Sequence, residues 1–213
     1  MKLVLISDTH NRHTELDMPP GDILIHAGDI TFAEKRFHDK EMYQLLRFNE
    51  WLRTLNFRSI LVIPGNHDTI YEDDSVRAMK AITNGRVLID EMVEIDGLKI
   101  WGSPWTPTFY NWGFNANKYK MQEIVNKIPK CDVLITHGPP YLIQDWSGPQ
   151  HVGCPALRNA ILGRIKPKLH VFGHIHAGAG AHTEDGIQFI NAAMVNERYE
   201  IVNNPWVITL ERN

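Results

Sequence analysis

The stretch Arg58-Ser59-Ile60-Leu61-Val62-Ile63-Pro64-Gly65-Asn66-His67-Asp68 decides how the chain is read. Its four consecutive aliphatic residues have the pattern of a strand covered on both faces, as in a parallel sheet. A Pro-Gly corner then turns the chain out of the sheet, and three polar side chains follow at once. Four other stretches repeat this order. Lys2 to Ser7 ends in Asp8-Thr9-His10, Asp22 to His26 in Gly28-Asp29, Asp132 to Thr136 in His137-Gly138, and Lys168 to Phe172 in Gly173-His174-Ile175-His176. In open α/β sheets ligands bind beyond the carboxyl ends of the strands, so five such corners predict one site on one rim.

Between the strands lie helical periodicities. Met42, Leu45, Phe48, Leu52 and Leu55 recur at spacings of three and four, as do Val76, Met79 and Ile82, then Met121, Ile124, Val125 and Ile128, then Leu157, Ile161 and Ile165. These stripes read as core-facing sides of helices, and the alternation gives an α/β sandwich with right-handed crossovers. Asp96-Gly97 and Asp185-Gly186 each sit between strand-like runs and match two-residue hairpin turns. The hairpins predict a second, mixed or antiparallel sheet packed on the first, and Trp206 to Leu210 reads as a late strand.

The chain has 213 residues, 43% of them hydrophobic, with 22 basic against 25 acidic side chains and a formal charge of -3. That length buries roughly 70% of the unfolded surface in a single core, and no repeat or linker divides it, so one domain over 1–213 is expected. The charge balance gives neither a disordered acidic tail nor a basic face for extended nucleic acid. No apolar run approaches the roughly 20 residues that span a bilayer, so no membrane association is expected. The first strand-like run begins at residue 2 and leaves no room for a secretory leader. Together with only two cysteines, Cys131 and Cys154, this leads to an expectation of reduced thiols and a cytoplasmic location. Eleven histidines beside those two cysteines is the unusual count.

The corners collect Asp8, His10, Asp29, Asn66, His137, His174 and His176 as candidate metal ligands. Imidazole, carboxylate and amide oxygen without thiolate suit Mn, Fe, Co or Zn and argue against a structural zinc site. Seven donors are too many for one tetrahedral ion and fit two ions sharing a carboxylate, the arrangement used for in-line displacement at phosphorus. Taken singly, Asp8 reads equally as a turn cap and Gly28-Asp29 as a simple turn; the ordered recurrence of five corners carries the argument. Among the other histidines, His13, His38 and His182 have polar surroundings and read as solvated. His26 and His170 lie within strands and read as hydrogen-bonded structural groups. His151 lies in the loop Ser147 to Cys154, near enough to the rim in sequence to reach a substrate.

Asp8-x-His10, Gly28-Asp29, Gly65-Asn66-His67-Asp68, His137 and Gly173-His174-x-His176 together resemble the signature of calcineurin-like metallophosphoesterases, from residue 8 to 176. Ser7 to His10, Met18 to Asp29, Trp101 to Trp105, His137 to Pro140, Val152 to Cys154 and Leu169 to His176 resemble the metallophosphoesterase-domain phosphodiesterases within that superfamily. The resemblance implies a four-layer αββα sandwich of two mixed β-sheets flanked by helices. It implies one ion on Asp8, His10, Asp29 and His176 and another on Asp29, Asn66, His137 and His174, with Mn or Fe the expected metals and Zn or Co alternatives. It leaves His67 free to contact the phosphoryl group and assist the leaving group, with Asp68 orienting it, while a hydroxide shared by the ions attacks phosphorus. Histidine titrates close to neutrality, which suits such a proton donor.

The aromatic segment Ser103 to Asn117 is long for a connection and reads either as a stacking surface for a nucleobase, worth about 1 to 3 kcal/mol, or as a plug over the second sheet. The expected activity is a phosphodiesterase acting on small phosphoesters or nucleotides, cyclic nucleotides among them. Phosphomonoesterase or protein phosphatase activity on the same site, and a nucleotide-binding module with little turnover, are the alternatives.

Overall fold

The computed structural model describes residues 1–32 and 38–211. In chain order its elements are β1 (Lys2–Ile6), β2 (Ile23–His26), α1 (His38–Thr54), β3 (Ser59–Val62), α2 (Ile70–Asp73), α3 (Ser75–Ala81), β4 (Arg86–Val87), β5 (Glu91–Ile95), β6 (Leu98–Ser103), β7 (Thr106–Pro107), β8 (Asn115–Ala116), α4 (Lys118–Lys127), β9 (Val133–Thr136), β10 (Trp146–Ser147), β11 (Gln150–His151), α5 (Pro155–Ala160), β12 (Leu169–Phe172), β13 (Gly180–Glu184), β14 (Ile187–Asn191) and β15 (Trp206–Thr209).

Two large sheets form the middle of the molecule, in the orders β15-β1-β2-β3-β4 and β13-β14-β12-β9-β6-β5. Alternate residues of each strand face opposite ways. Leu3, Leu5, Ile23, Ile25 and Leu61 of the first sheet meet Ile100, Val133, Ile135, Leu169 and Val171 of the second between the sheets. The intervening Val4, Ile6, Leu24, Ile60 and Val62 meet Met42, Leu45, Phe48 and Leu52 of α1. On the far side Leu134, Phe172 and Phe189 meet Met121, Ile124 and Val125 of α4 and Leu157, Ile161 and Ile165 of the α5 region. Both faces of each central strand are therefore covered, which is why the strands read as unbroken apolar runs. A fully buried side chain such as Phe48 or Leu45 contributes about 1.5 to 3 kcal/mol. The result is the expected αββα sandwich.

The five corner-forming strands divide between the sheets. β1, β2 and β3 run parallel in the first, and β9 and β12 run parallel in the second. Each Asp-Gly hairpin supplies an antiparallel edge pair of the second sheet, with positive φ at Asp96, Gly97, Asp185 and Gly186 as the turn requires. The late strand β15 joins the first sheet antiparallel to β1.

Three local readings change. The stripe Val76-Met79-Ile82 is not the buried side of α3: Val76 and Met79 are 66% and 42% exposed, and Ala78, Ala81 and Ile82 pack inward. Small alanines let this seven-residue helix approach α1 closely. The α5 helix widens into a π turn at Ile161–Ile165, which ends at the left-handed Lys166. His13, expected in solvent, is fully buried: a 3₁₀ turn at His13–Glu15 tucks its ring under α1, 5.2 Å from both Phe48 and Trp51.

Candidate metal centre

The loops leaving β1, β2, β3, β9 and β12 converge between the carboxyl ends of the two sheets. Backbone hydrogen bonds from Asp8 N to Gly28 O (2.9 Å) and from His10 N to Asp29 O (3.1 Å) carry the β1–β2 pairing into the corners. There the chain is strained: Asp8, His10, Asp29 and His174 have φ of 52°, 42°, 57° and 68°. Left-handed conformations of non-glycine residues cost on the order of 1 to 3 kcal/mol and gather at functional sites. Glycine is demanded beside them, because a methyl group on Gly65 would overlap the Asp29 carboxylate and one on Gly173 that of Asp8.

All seven residues singled out as ligands meet here. Donor atoms of Asp8, His10 and His176, of His10, Asp29 and His67, and of Asp29, His137 and His174 lie within 4.8 Å of one another in each group. Asn66 Oδ1 lies 2.9 Å from His137 Nε2. His10 Nε2 is 3.7 Å from Asp29 Oδ2, His137 Nε2 is 3.4 Å from Asp29 Oδ1, and His176 Nε2 is 3.4 Å from Asp8 Oδ1. Ligands held at about 2.0 to 2.2 Å from one ion stand roughly 3.0 to 3.5 Å apart along its coordination edges; the two 3.4 Å separations fall in that range, and those of 2.9 and 3.7 Å lie just outside it.

The imidazoles are also presented correctly. Nδ1 of His10 faces Thr31 O (3.2 Å), that of His137 faces Ala27 O (2.9 Å), and that of His176 faces Asn196 O (3.1 Å). A carbonyl only accepts, so Nδ1 carries a hydrogen in each case and Nε2, once free of any proton of its own, is the nitrogen turned to the centre. The donor set thus fits divalent transition ions.

The electrostatics lead to the same conclusion. Burial works against ionisation of Asp8 and Asp29, but His176 beside the first and His137 and His67 beside the second outweigh it and hold both carboxyls below their usual range. Burial lowers His10 to about 4 and His174 to about 3, which keeps them neutral, as ligands must be. Burial also opposes the His137 imidazolium, yet Asp29 raises it to about 9. Two buried carboxylates demand positive charge at this point.

Asp68 acts as a brace. Its carboxylate accepts the backbone N–H groups of Gly65 (2.7 Å), Thr31 (2.8 Å) and Ile30 (3.1 Å), locking the Asp29 corner onto the Asn66-His67 corner. Burial and the neighbouring Asp29 push its pKa up to about 7. His67 N donates to Asp29 Oδ1 at 2.8 Å.

The structure adds residues that the sequence did not single out. Tyr199, left-handed with φ of 59°, lies 4.8 Å from the His10 ring and 4.7 Å from Phe32. The Arg12 guanidinium donates to its carbonyl, and Asn196, the partner of His176, accepts its N–H. Within the aromatic segment, Phe109 lies 4.9 Å from His174 and Trp112 4.3 Å from His67. Trp105 and Phe114 pack together away from them. The segment is thus part plug and part site wall. Elsewhere, His26 and His170 bond to Thr9 and Thr136 through Nε2, and His151 pairs with the buried Asp145 at 2.6 Å. His38 is partly exposed and pairs with Asp73. Cys131 and Cys154 are separate, buried thiols.

Residues 1–178 match the calcineurin-like phosphoesterase family. Metallophosphoesterase domain-containing protein 1 of Homo sapiens and that of Mus musculus are each 39% identical to this chain, over 98% of it and 71% of their own length. A solved crystal structure with 20% identity superposes with a TM-score of 0.64 over 89% of each chain, a likeness of fold. No helix among the described residues is long and apolar enough to cross a membrane.

Proposed function

The chain belongs to the calcineurin-like phosphoesterase family, whose members are metal-dependent phosphoric ester hydrolases, and on that premise we propose that it hydrolyses small phosphodiesters, cyclic nucleotides among them. The observation that carries this reading is the paired donor set around Asp29, with an imidazole nitrogen beside each of its two oxygens. Asp8, His10, Asp29 and His176 would hold one ion, and Asp29, Asn66, His137 and His174 the other. The donors suit Mn and Fe, with Zn and Co also accommodated. When bound, two such ions supply Lewis-acid charge to a phosphoryl oxygen and acidify a water.

The chain's own residues do the rest. The carbonyls of Thr31, Ala27 and Asn196 fix the ligand imidazoles, so the centre is built before substrate arrives. His67 is spared from ligation in this assignment and gives a proton to the departing ester oxygen. Asp68 keeps the His67 backbone in place through the two corners that it locks. Phe109 and Tyr199 offer aromatic faces at the rim to a planar group esterified to phosphorus.

The test loads the purified chain with Mn, Fe, Co or Zn in turn and assays phosphomonoesters, aryl phosphodiesters and cyclic nucleotides. Diester turnover above monoester turnover is expected. In His67→Ala the turnover of cyclic nucleotides, whose leaving alkoxide needs a proton, should fall by about 10² to 10⁴ with bound metal unchanged. A monoester preference, or full metal loading with no turnover of any ester, would overturn the reading.

A further inference from the structure

The aromatic segment from Ser103 to Asn117 reaches the site through two rings, Phe109 against His174 and Trp112 against His67. The Trp112 indole lies against the His67 imidazole, with centroids 4.3 Å apart and planes inclined by 37°. Phe32 lies nearly parallel to the same imidazole, at 6.0 Å and 18°, and the edge of His10 meets it at 4.8 Å and 85°. His67 is left only 7% exposed.

Trp112 is itself held by bonds that do not depend on the ions. The next residue, Gly113, donates its N–H to Asn66 O at 3.0 Å, tying the segment to the residue before His67. The ends of the segment are drawn together where β7 pairs with β8, and Asn115 Nδ2 donates to Phe109 O at 2.8 Å. Trp105 Nε1 is anchored on Asp90 Oδ2 at 2.8 Å. Space filling is done by the buried Phe114 with Trp105. Trp112 remains half-buried, and its ring contact is made to the one imidazole that the proposed metal assignment leaves over.

We propose that Trp112 is a positioning residue that holds the His67 imidazole at the angle from which it serves the departing ester oxygen. The inference rests on the role given to His67 above. Removing a flat neighbour at 4.3 Å gives a histidine ring more room to turn about its side-chain torsions, and a misplacement of about 1 Å in a reacting group lowers rate by as much as about 10²-fold. Stacking on a planar indole fixes the tilt of the ring, which a hydrogen bond at one nitrogen does not.

The experiment compares Trp112→Ala, Trp112→Phe, His67→Ala and the double variant His67→Ala/Trp112→Ala, each checked for metal content and loaded alike. Two phosphodiesters are used, one losing a p-nitrophenolate and one an alkoxide that needs a proton. Trp112→Ala is expected to lose about 10- to 100-fold in kcat on the alkoxide substrate, to change little on the p-nitrophenyl substrate, and to leave KM nearly unchanged. Trp112→Phe should retain most of the rate, and Trp112→Ala should add nothing in the His67→Ala background. Independently of turnover, the His67 ring protons of the metal-free protein should be displaced by the indole ring current and return toward ordinary positions in Trp112→Ala. Equal losses on both substrates, additive effects in the double variant, or a His67 resonance indifferent to Trp112 would overturn the proposal while leaving the hydrolase reading intact. Unchanged turnover of the alkoxide substrate in His67→Ala would instead remove the role of His67 on which both stand.

Discussion

The Nε2 atoms of His10 and His176 face each other at 3.3 Å, while each ring commits its Nδ1 hydrogen to a backbone carbonyl. Burial opposes the His176 imidazolium, but Asp8 beside it raises its pKa, so a proton bridges the two nitrogens where an ion would sit, and an ion bound to both adds stability beyond what that proton gives. Chelation should therefore lower thermal stability, and added Mn should restore it. A ligand at 100 times its Kd adds about 2.7 kcal/mol, which for a domain of this size is roughly 5 to 10 °C in Tm. Scanning calorimetry with and without chelator reads this directly, and identical melting curves would count against a metal centre.

Asp29 presents one oxygen toward His10 and the other toward His137. Asp29→Asn keeps an acceptor for His67 N but loses the charge that serves both positions. Elemental analysis should find metal depleted at both positions, whereas His174→Ala should lose about one equivalent. Two full equivalents in Asp29→Asn would refute the shared carboxylate.

Gly173 packs directly on Asp8, and His174 N donates to both oxygens of that carboxylate at 3.0 Å. Gly173→Ala must push the two loops apart. The expected result is a loss of about 2 kcal/mol or more in stability together with impaired metal uptake, since a small-to-large change in a tight contact costs roughly 1 to 3 kcal/mol. Denaturant titration with metal analysis on the same sample checks both.

Stability should also fall with acid through a group outside the centre. Burial lowers His170 to about 3, and its Nε2 is hydrogen-bonded to Thr136. The unfolded chain takes up this proton as pH drops below about 6.5, and the folded chain resists until about 3. The neutral ring's stability is therefore complete above the unfolded value and lost as pH falls between the two. Between pH 6.5 and 5 the loss from this one group is at most about 2 kcal/mol. In chelator, His170→Gln should show a shallower decline than the natural sequence, and parallel declines would contradict this.

The corners were legible because each polar residue interrupts an apolar strand where a buried chain would otherwise need only a turn. How the strands divide between two sheets was not legible. A strand covered on both faces has the same pattern whether a helix or another sheet covers it, so periodicity reports burial and not the covering partner. Tyr199 and Phe32 lie in irregular segments and come to the site through Arg12, Asn196 and the Asp29 corner, contacts that no spacing announces. His13 sits between Arg12 and Thr14, so its neighbours suggested solvent. Its burial depends on a turn under α1 that only the assembled fold creates.

Asp8 and His174, bonded at 3.0 Å, are 166 positions apart along the chain. Either proposed ion position needs residues from the first thirty and from beyond 170, so neither exists until both sheets have formed and docked. Contacts of such long reach slow folding and close late. Metal retention would then be a certificate of completed folding: a chain ending just before β12 would carry most of the sandwich's hydrophobic mass and still keep no ion.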